Sequence, residues 1–342
     1  MKVAVVMGGI SSEKEISMES GRHIYNNLDR DKYIVTPVFM SQNGKIFIVN
    51  ENLVWMNTTK DIEISLKTGA RQIFYEDLKQ FEFIFLGLHG KFGEDGCMQG
   101  LLEILDLPYN GPGVLGAALG MNKLIARKLL AFAGLTVPKT ITVDKNSDNA
   151  EILLKVKEEI GFPCIVKPTR EGCSTALAKA INEKELVKAI NEALKWDNQA
   201  LVEEDLSSGI EVTTTVLGNE EVDAFLPTET PKKGAFLTLE EKFLPGDAQM
   251  ITPPHLPKKV IEKIQIESIK AYQALGLKVY TRIDAFWKDR RLYILEPNTL
   301  PGVTPSTCVF HQAAEAGLNA TQFFDKIIDL SLEAHRAKIG PL

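Results

Sequence analysis

The sequence predicts an α/β protein in which a parallel α/β domain precedes two smaller α+β domains. The first observation is length, because 342 residues exceed the ~250–300 at which a single hydrophobic core stops growing. The second is the alternation of short apolar runs with segments of helical periodicity, which is typical of βαβ units. The third is composition. With 44% hydrophobic and 25% charged residues, the chain matches folded globular proteins rather than disordered or fibrous ones.

Two strand–loop–helix units predict the N-terminal domain. A Val-rich run over Lys2–Met7 stops at Gly8-Gly9, and helical periodicity follows over Ser17–Asn27. A second apolar run, Phe81–Leu88, leads into a glycine-rich loop and another helical segment, Met98–Leu105. Because parallel strands end at one edge of their sheet, we expect both glycine loops at that edge. The turn residues at 110–113 set the boundary, so this domain is 1–111.

The central domain, 112–204, is predicted from a mixture of helices and strands. A helix over Asn122–Ala133 ends at a glycine, and a buried strand is broken at Pro168. A second glycine-containing loop, 170–175, follows this strand. An amphipathic helix over Glu183–Lys195 and a strand over Ala200–Glu204 complete a compact α+β unit.

The C-terminal domain, 205–342, is predicted around one long helix and a pair of strands. The helix covers Lys258–Leu275 and ends at a glycine. The strands, Leu277–Phe286 and Arg291–Glu296, are joined by a short polar turn. Ahead of the helix, the segment between Pro227 and Pro254 has weak periodicity and several prolines, and we expect a lid loop at about 230–252.

Charge, apolar runs and cysteines exclude several classes of protein. The net charge of −6 gives no positive field for nucleic acid. The apolar run at Val3–Met7 is shorter than a signal-peptide core, and no stretch approaches the ~20 apolar residues of a membrane span. The four cysteines form no CxxC pair, which favours reduced thiols. We therefore expect a cytoplasmic protein without a membrane or nucleic-acid partner.

Oxygen-bearing side chains on the last two predicted strands indicate a metal site. Side chains alternate between the faces of a strand, so Arg282 and Asp284 share one face, as do Glu296 and Asn298. Carboxylate and amide oxygens suit Mg²⁺, which keeps further positions for substrate phosphate. The alternative is a solvated sheet face with exposed charges.

Two lysines and a glycine loop favour the metal–nucleotide interpretation. Lys167 ends the buried strand just before the 170–175 loop, whose amides suit a phosphate, and Lys123 begins a helix. Each lysine alone is typical of a surface residue. Together with the acidic strands they predict a nucleoside-triphosphate site. The absence of GxxxxGK[ST] excludes a P-loop. The residues after Gly8-Gly9 have the wrong spacing for GxGxxG, so a dinucleotide-binding fold has little support.

In this order, six motifs resemble the D-alanine–D-alanine ligases of the ATP-grasp superfamily, over nearly the whole chain. The motifs are Gly8–Ser17, His89–Gly96, Asn122-Lys123, Val166–Pro168, Arg282–Asp284 and Glu296–Thr304. The resemblance implies a three-domain ATP-grasp architecture with ATP between the central and C-terminal sheets. It implies that ATP converts one D-alanine to an acyl phosphate, which a second D-alanine attacks, in peptidoglycan precursor synthesis. It also implies two Mg²⁺ or Mn²⁺ ions and a homodimer.

The same resemblance implies a role for individual residues. Glu13 receives the ammonium of the first substrate, Arg282 stabilises the oxyanion, and a serine and a tyrosine of the family correspond to Cys173 and Phe243. The implied ATP-binding residues are Lys123, Lys167, Glu203, Glu211 and Lys242. Asp284, Glu296 and Asn298 are the implied metal ligands. The implied substrate-binding residues are His89, Gly302, Ser306 and Thr307.

Departures from the family pattern leave the acceptor open. Cys173 and Phe243 lack the serine and tyrosine hydroxyls, and Pro305-Ser306-Thr307 stands where the family has Ser-x-Ser. Because these changes spare the ATP-binding side, the alternative is a D-alanyl ligase that uses D-lactate or another acceptor. Two further alternatives are a non-catalytic nucleotide-binding paralogue and a nicotinamide dehydrogenase built on the first βα unit.

Overall fold

The computed structural model describes residues 1–172, 175–231 and 250–338. In these ranges, 14 β-strands form three separate sheets, and 11 α-helices accompany them. Cys173, Lys242, Phe243 and most of the predicted 230–252 lid lie outside the described residues. No helix in the described ranges combines the length and apolarity needed to span a bilayer.

The first sheet has the strand order β4-β3-β2-β1-β5. Strand β1 pairs in parallel with β2 and β5, which confirms the predicted parallel core of this unit. The elements, in chain order, are β1 (Lys2–Gly8), α1 (Lys14–Asn27), β2 (Ile34–Met40), β3 (Ile46–Val49), α2 (Glu51–Val54), α3 (Thr59–Gly69), β4 (Ala70–Ile73), a 3₁₀ turn (Tyr75–Gln80), β5 (Phe83–Leu86) and α4 (Cys97–Ile104).

The glycine loop after β1 is pressed against the end of β2. Gly8 has φ +86°, and a Cβ there would lie 2.6 Å from the Met40 carbonyl oxygen. The Gly9 N–H donates to the same oxygen at 2.8 Å. Only glycine tolerates this conformation and this close approach. The loop is therefore fixed at the carboxyl edge of the sheet, beside the glycine-rich loop that follows the neighbouring β5.

The central sheet is antiparallel, with the order β6-β9-β7-β8. Its helix over the predicted amphipathic segment begins after Asn182, whose side chain accepts the Glu185 N–H, as an N-cap residue does. The elements are α5 (Val114–Met121), α6 (Lys123–Phe132), β6 (Thr140–Asp144), α7 (Asn149–Lys155), a π-helical turn (Val156–Ile160), β7 (Cys164–Pro168), β8 (Ala178–Ala180), α8 (Glu183–Trp196) and β9 (Gln199–Glu204).

The third sheet is antiparallel, with the order β11-β10-β13-β14 and with β12 paired to β10. Asp289 and Arg290 have φ values of +49° and +61°, so a tight turn with both central residues left-handed joins β13 to β14. The elements are β10 (Ile210–Gly218), β11 (Val222–Ala224), β12 (Thr228–Glu229), α9 (Lys258–Ala274), β13 (Val279–Lys288), β14 (Arg291–Asn298), α10 (Cys308–Glu315) and α11 (Ala320–Arg336).

Residues from distant parts of the sequence share the core of the first sheet. Phe323 and Phe324 of α11 are fully buried in one cluster with Val3–Met7 of β1, and the Phe85 and Phe324 rings meet edge to face at 5.6 Å. The central sheet, by contrast, packs on α8 in a cluster of its own. The last two helices thus belong to the core of the first sheet, although they follow the third sheet in sequence.

Candidate active site

A large cavity lies where the three sheets meet. Apart from Ser306, every predicted site residue in the described ranges lines it: Glu13, His89, Lys123, Lys167, Glu203, Glu211, Arg282, Asp284, Glu296, Asn298, Gly302 and Thr307. Ser306 lies beside Thr304, with the two hydroxyl oxygens 3.4 Å apart. The cavity is also lined by residues that the sequence analysis did not select, among them Glu94, Glu171, Thr213 and Cys308.

Strands β13 and β14 bring the predicted metal-binding side chains onto one face. Asp284 lies opposite Glu296, and Arg282 lies opposite Asn298. The Asp284 carboxylate accepts two hydrogen bonds from Arg282, both at 2.8 Å, and one from the Asn298 amide at 2.9 Å. The Thr213 hydroxyl donates to it at 2.7 Å. The predicted alternation is therefore correct, and the face is enclosed rather than solvated.

Two lysines from the central unit reach across to Glu296. Its carboxylate lies 3.2 Å from the Lys167 Nζ and 3.8 Å from the Lys123 Nζ. Burial alone would raise the pKa of Glu296, but the charges of Lys123, Lys167 and Arg127 outweigh burial and hold it well below its usual value. Glu296 is therefore ionised throughout the physiological pH range.

Glu203 lies deeper in the same cluster. Its carboxylate is 2.6 Å from Arg127 Nη1 and 3.4 Å from the Lys167 Nζ. Burial raises its pKa, and the two cations more than offset that effect. Arg127 was missed by the sequence analysis, although it stands four residues after Lys123 on α6, which places both side chains on one helix face. Three cations thus face two carboxylates here, a balance that suits a bound polyanion.

Part of the cavity lining is apolar. Ile165, Leu177, Phe286, Leu295 and Met250 line it next to Glu203–Ser207. An apolar slot of this kind accommodates a flat aromatic ring, while neighbouring backbone and carboxylate groups provide polar contacts at its rim. Phe286 and Leu295 stand on the same strands as the predicted metal ligands, and Ile165 lies two residues before Lys167 on β7, so the apolar surface adjoins the charged cluster.

The loop after β7 closes the cavity against the first sheet. The Lys123 Nζ donates to the Glu171 carbonyl at 2.5 Å, and the Glu171 carboxylate forms an ion pair with Lys91 of the first unit. Gly172 then passes so close to Glu13 that a Cβ at this glycine would lie 2.0 Å from Glu13 Oε1. The loop therefore spans two units and covers the Glu13 carboxylate.

Two buried carboxyl groups stand side by side at this end. Glu13 lies just before α1, and its Oε1 is 2.9 Å from where a Cβ on Gly90 would be. Glu94 accepts the Gly90 N–H at 3.0 Å and the Leu300 N–H at 2.7 Å. Burial, followed by the Glu13 charge, raises the pKa of Glu94. Because a raised pKa favours the neutral acid of Glu94, the Glu13 carboxylate is the candidate receptor for a cationic group such as an ammonium.

His89 uses both ring nitrogens inside the protein. Its Nε2 lies 2.7 Å from the Ser20 hydroxyl and its Nδ1 lies 2.8 Å from the Leu300 carbonyl oxygen. Burial lowers the pKa of His89 to about 4, so the ring is neutral at pH 7. His89 lines the same cavity as Glu13, but both of its hydrogen bonds go to protein groups.

The buried neutral histidine should make the protein sensitive to mild acid. The unfolded chain takes up a proton near pH 6.5, whereas the folded protein does so only near pH 4. Stability should therefore fall as the pH is lowered through this window, by on the order of 3 kcal/mol from His89. Urea unfolding at several pH values measures this change in the free energy of unfolding. His89→Gln should flatten this dependence and His255→Gln, at an exposed histidine, should not. Equal pH dependence in wild type and His89→Gln would contradict the assignment.

The matches to known proteins cover nearly the whole chain. Two family models match it, "D-ala D-ala ligase N-terminus" over residues 2–112 and "D-ala D-ala ligase C-terminus" over residues 129–329. A D-alanine–D-alanine ligase from Thermoanaerobacter sp. (strain X514) is 34% identical, over 98% of both chains. The solved VanG D-Ala:D-Ser ligase from Enterococcus faecalis is 28% identical with a TM-score of 0.85, over 96% of this chain and 99% of that one. The Bacillus anthracis D-alanine–D-alanine ligase complexed with ATP is 28% identical with a TM-score of 0.77, over 99% and 100%.

Proposed function

The chain belongs to the D-alanine–D-alanine ligase family, and on that premise we propose that it joins two D-alanines in an ATP-dependent reaction that yields a cell-wall precursor. The α/β fold with three sheets is the ATP-grasp fold of the solved ligases. The observation that carries the proposal is the convergence of Lys123 and Lys167 from the central unit on Glu296 of the third. This convergence supports a site in which a nucleoside triphosphate would bridge the two sheets.

The cavity provides a place for each part of ATP. The apolar slot takes the adenine, with the Glu203 side chain at its rim, and Glu211 faces the ribose. Lys123 and Lys167 bind the phosphates, since each Nζ is already positioned by a carboxylate that a phosphate oxygen can partly replace. The amides of the loop at 170–172 add neutral donors at the phosphate end. The solved Bacillus anthracis ligase is a complex with ATP, which supports ATP as the nucleotide bound here.

The carboxylate strands fit a pair of divalent cations. In the described ranges, no group of three His, Cys, Asp or Glu side chains forms a metal site by itself. Asp284, Glu296 and the Asn298 amide supply an incomplete set of hard oxygen ligands, which is the arrangement Mg²⁺ or Mn²⁺ uses when phosphate oxygens complete its coordination. When bound, the ions would neutralise charge on the phosphates. The bidentate Arg282–Asp284 contact holds the Asp284 carboxylate in its orientation on β13.

The remaining charged groups orient the amino-acid substrates. Glu13 receives the ammonium of the first D-alanine, whose carboxylate then lies toward Arg282 and the phosphates. Phosphorylation of that carboxylate supplies a good leaving group. The amine of the second D-alanine attacks the acyl carbon, phosphate leaves, and Arg282 stabilises the charge that develops on the oxygen. Gly302 and Thr307 border the space for the acceptor carboxylate.

An ADP-release assay tests the proposal directly. Purified protein is incubated with ATP, Mg²⁺ and either D-alanine, L-alanine, D-serine or D-lactate, and products are identified by mass spectrometry. ADP, phosphate and D-alanyl-D-alanine are expected with D-alanine, and little turnover with L-alanine. ATP binding without ADP release would identify a non-catalytic paralogue. The homodimer, which the family resemblance implies, and the cytoplasmic location, which was expected from the sequence, also stay proposals.

An ester-forming activity is a second candidate, favoured by Phe243 and Cys173, which lack the hydroxyls of the family pattern. A less polar acceptor pocket favours a neutral hydroxy acid over a zwitterion whose ammonium must be desolvated. Because an α-amino group titrates near ~8, any D-lactate product should be most abundant at low pH and decline as the pH rises. Competition between D-alanine and excess D-lactate across mildly acidic to alkaline buffers measures this. Absence of ester at every pH rules the candidate out, and Phe243→Tyr should suppress any ester found.

A further inference from the structure

Four side chains of the first unit hold the backbone of one short loop in the third. The loop, Leu300–Val303, follows β14 and includes Gly302, which borders the cavity. The side chains are Ser20, His23, His89 and Glu94. Together they satisfy the N–H and the C=O of both Leu300 and Val303, so the two ends of the loop are held completely by a distant part of the chain. We call this set of bonds the backbone clamp.

The Leu300 half of the clamp comes from the glycine-rich loop after β5. Glu94 Oε1 accepts the Leu300 N–H at 2.7 Å, and His89 Nδ1 donates to the Leu300 carbonyl at 2.8 Å. Glu94 Oε2 accepts the Gly90 N–H at 3.0 Å, which fixes the carboxylate from its other side. His89 is nearly fully buried, and both residues belong to a loop anchored at the sheet edge.

The Val303 half comes from α1. The Ser20 hydroxyl accepts the Val303 N–H at 3.3 Å, and His23 Nδ1 donates to the Val303 carbonyl at 2.7 Å. The Ser20 hydroxyl also lies 2.7 Å from His89 Nε2, which links the two halves. Since a carbonyl only accepts, His89 must carry its proton on Nδ1, and Ser20 must donate to Nε2. One proton arrangement therefore satisfies every bond.

The clamp connects both ends of the substrate cavity. Helix α1 begins directly after Glu13, and the clamped loop begins two residues after Asn298. Moving Leu300 would therefore shift the Asn298 amide, the Gly302 backbone or both relative to Glu13. A displacement of about 1 Å in such a site is enough to reduce turnover by ~100-fold.

We propose that Glu94 and His89 are positioning residues, which act on the substrates through the backbone of Leu300–Val303. This inference rests on the proposed function only for its consequence in catalysis. The clamp itself consists of hydrogen bonds within the protein, so it is tested separately, without substrate.

Hydrogen–deuterium exchange tests the clamp without any substrate. In Glu94→Gln the side-chain NH₂ faces the N–H of either Gly90 or Leu300, so exchange should rise at least about tenfold in a peptide covering 299–304 or in one covering 88–92. Ser20→Ala removes the acceptor of the Val303 N–H and should raise exchange in the 299–304 peptide. The matched control is Glu82→Gln, an exposed glutamate that accepts the Lys2 N–H at 2.7 Å, which should leave both peptides unchanged. Unchanged exchange in both clamp variants would overturn the proposal.

Steady-state kinetics separate positioning from a general loss of structure. Glu94→Gln should raise KM for D-alanine about tenfold or more and leave KM for ATP within about twofold. The ion pairs of Lys123, Lys167 and Glu203 are made with Glu296, Arg127 and each other rather than with the clamp residues. An equal rise in both constants would overturn the positioning role. If the wild-type protein makes no ADP with any substrate, the proposed function fails, and the exchange result still decides whether the clamp exists.

Discussion

Replacing Glu296 by Gln should reduce turnover by about a hundredfold or more, since loss of one preorganised electrostatic group in a closed site typically has this effect. The substitution keeps the shape of the side chain and removes its charge. Lys123 and Lys167 would then face a neutral amide, and one oxygen donor to a divalent cation would be lost. The nucleotide could still bind through the lysines, so the loss should appear mainly in kcat.

The measurement is ADP release at saturating ATP and D-alanine over a range of Mg²⁺ concentrations. Glu220→Gln provides the control, because Glu220 is an exposed carboxylate of the same unit that forms its ion pair with Lys278 at 3.0 Å. That variant should keep wild-type turnover. Near-normal activity of Glu296→Gln at ordinary Mg²⁺ would show that Glu296 is not a metal ligand.

Adding one methyl group at Gly172 should reduce kcat/KM for D-alanine by about a hundredfold, the scale expected when a reacting group moves by about 1 Å. A Cβ at this position would lie 2.0 Å from Glu13 Oε1 and 3.0 Å from Glu13 Cδ. Either the carboxylate or the loop must move. Because the loop also carries the Glu171 carbonyl that Lys123 contacts, its displacement would reach the phosphate end as well.

Gly100→Ala is the matched control for this change. Its added Cβ would lie 3.9 Å from its nearest neighbour, within a helix that tolerates alanine well. A second variant identifies the clash: in Gly172→Ala with Glu13→Asp, the shorter carboxylate vacates the space. Comparison of the four combinations by kinetics should show coupling between the two sites. Wild-type kinetics in Gly172→Ala would mean that Glu13 does not depend on this loop.

Short-range rules were sufficient to predict which side chains of the acidic strands share one face. Arg282, Asp284, Glu296 and Asn298 could be placed on one face because side chains alternate along a strand and because the turn between β13 and β14 is short. The central parallel pairing of β1 with β5 was predictable for a similar reason, since buried parallel strands read as continuous apolar runs.

Other features depend on contacts that a single sequence does not display. Strands β3 and β4 have only four residues each, too few for the alternation of apolar and polar side chains to be recognised. They form an antiparallel edge of the sheet that was predicted to be parallel. Arg127 looked like an ordinary helix residue, because its partner Glu203 is 76 positions away. Glu94 was visible as part of a glycine-rich motif, but its bond to the Leu300 backbone could be found only from the fold.

The core shared by β1 and α11 has a consequence for synthesis on the ribosome. At the usual ~5–20 residues per second, roughly 10 to 40 s pass between translation of residue 111 and of the phenylalanines in α11 that complete the first core. During this interval part of the apolar surface of the first sheet has no cover. The central unit, whose core is separate, is able to fold meanwhile. The nascent chain should therefore order its middle before its beginning, and the exposed first sheet is the segment on which a ribosome-associated chaperone would act.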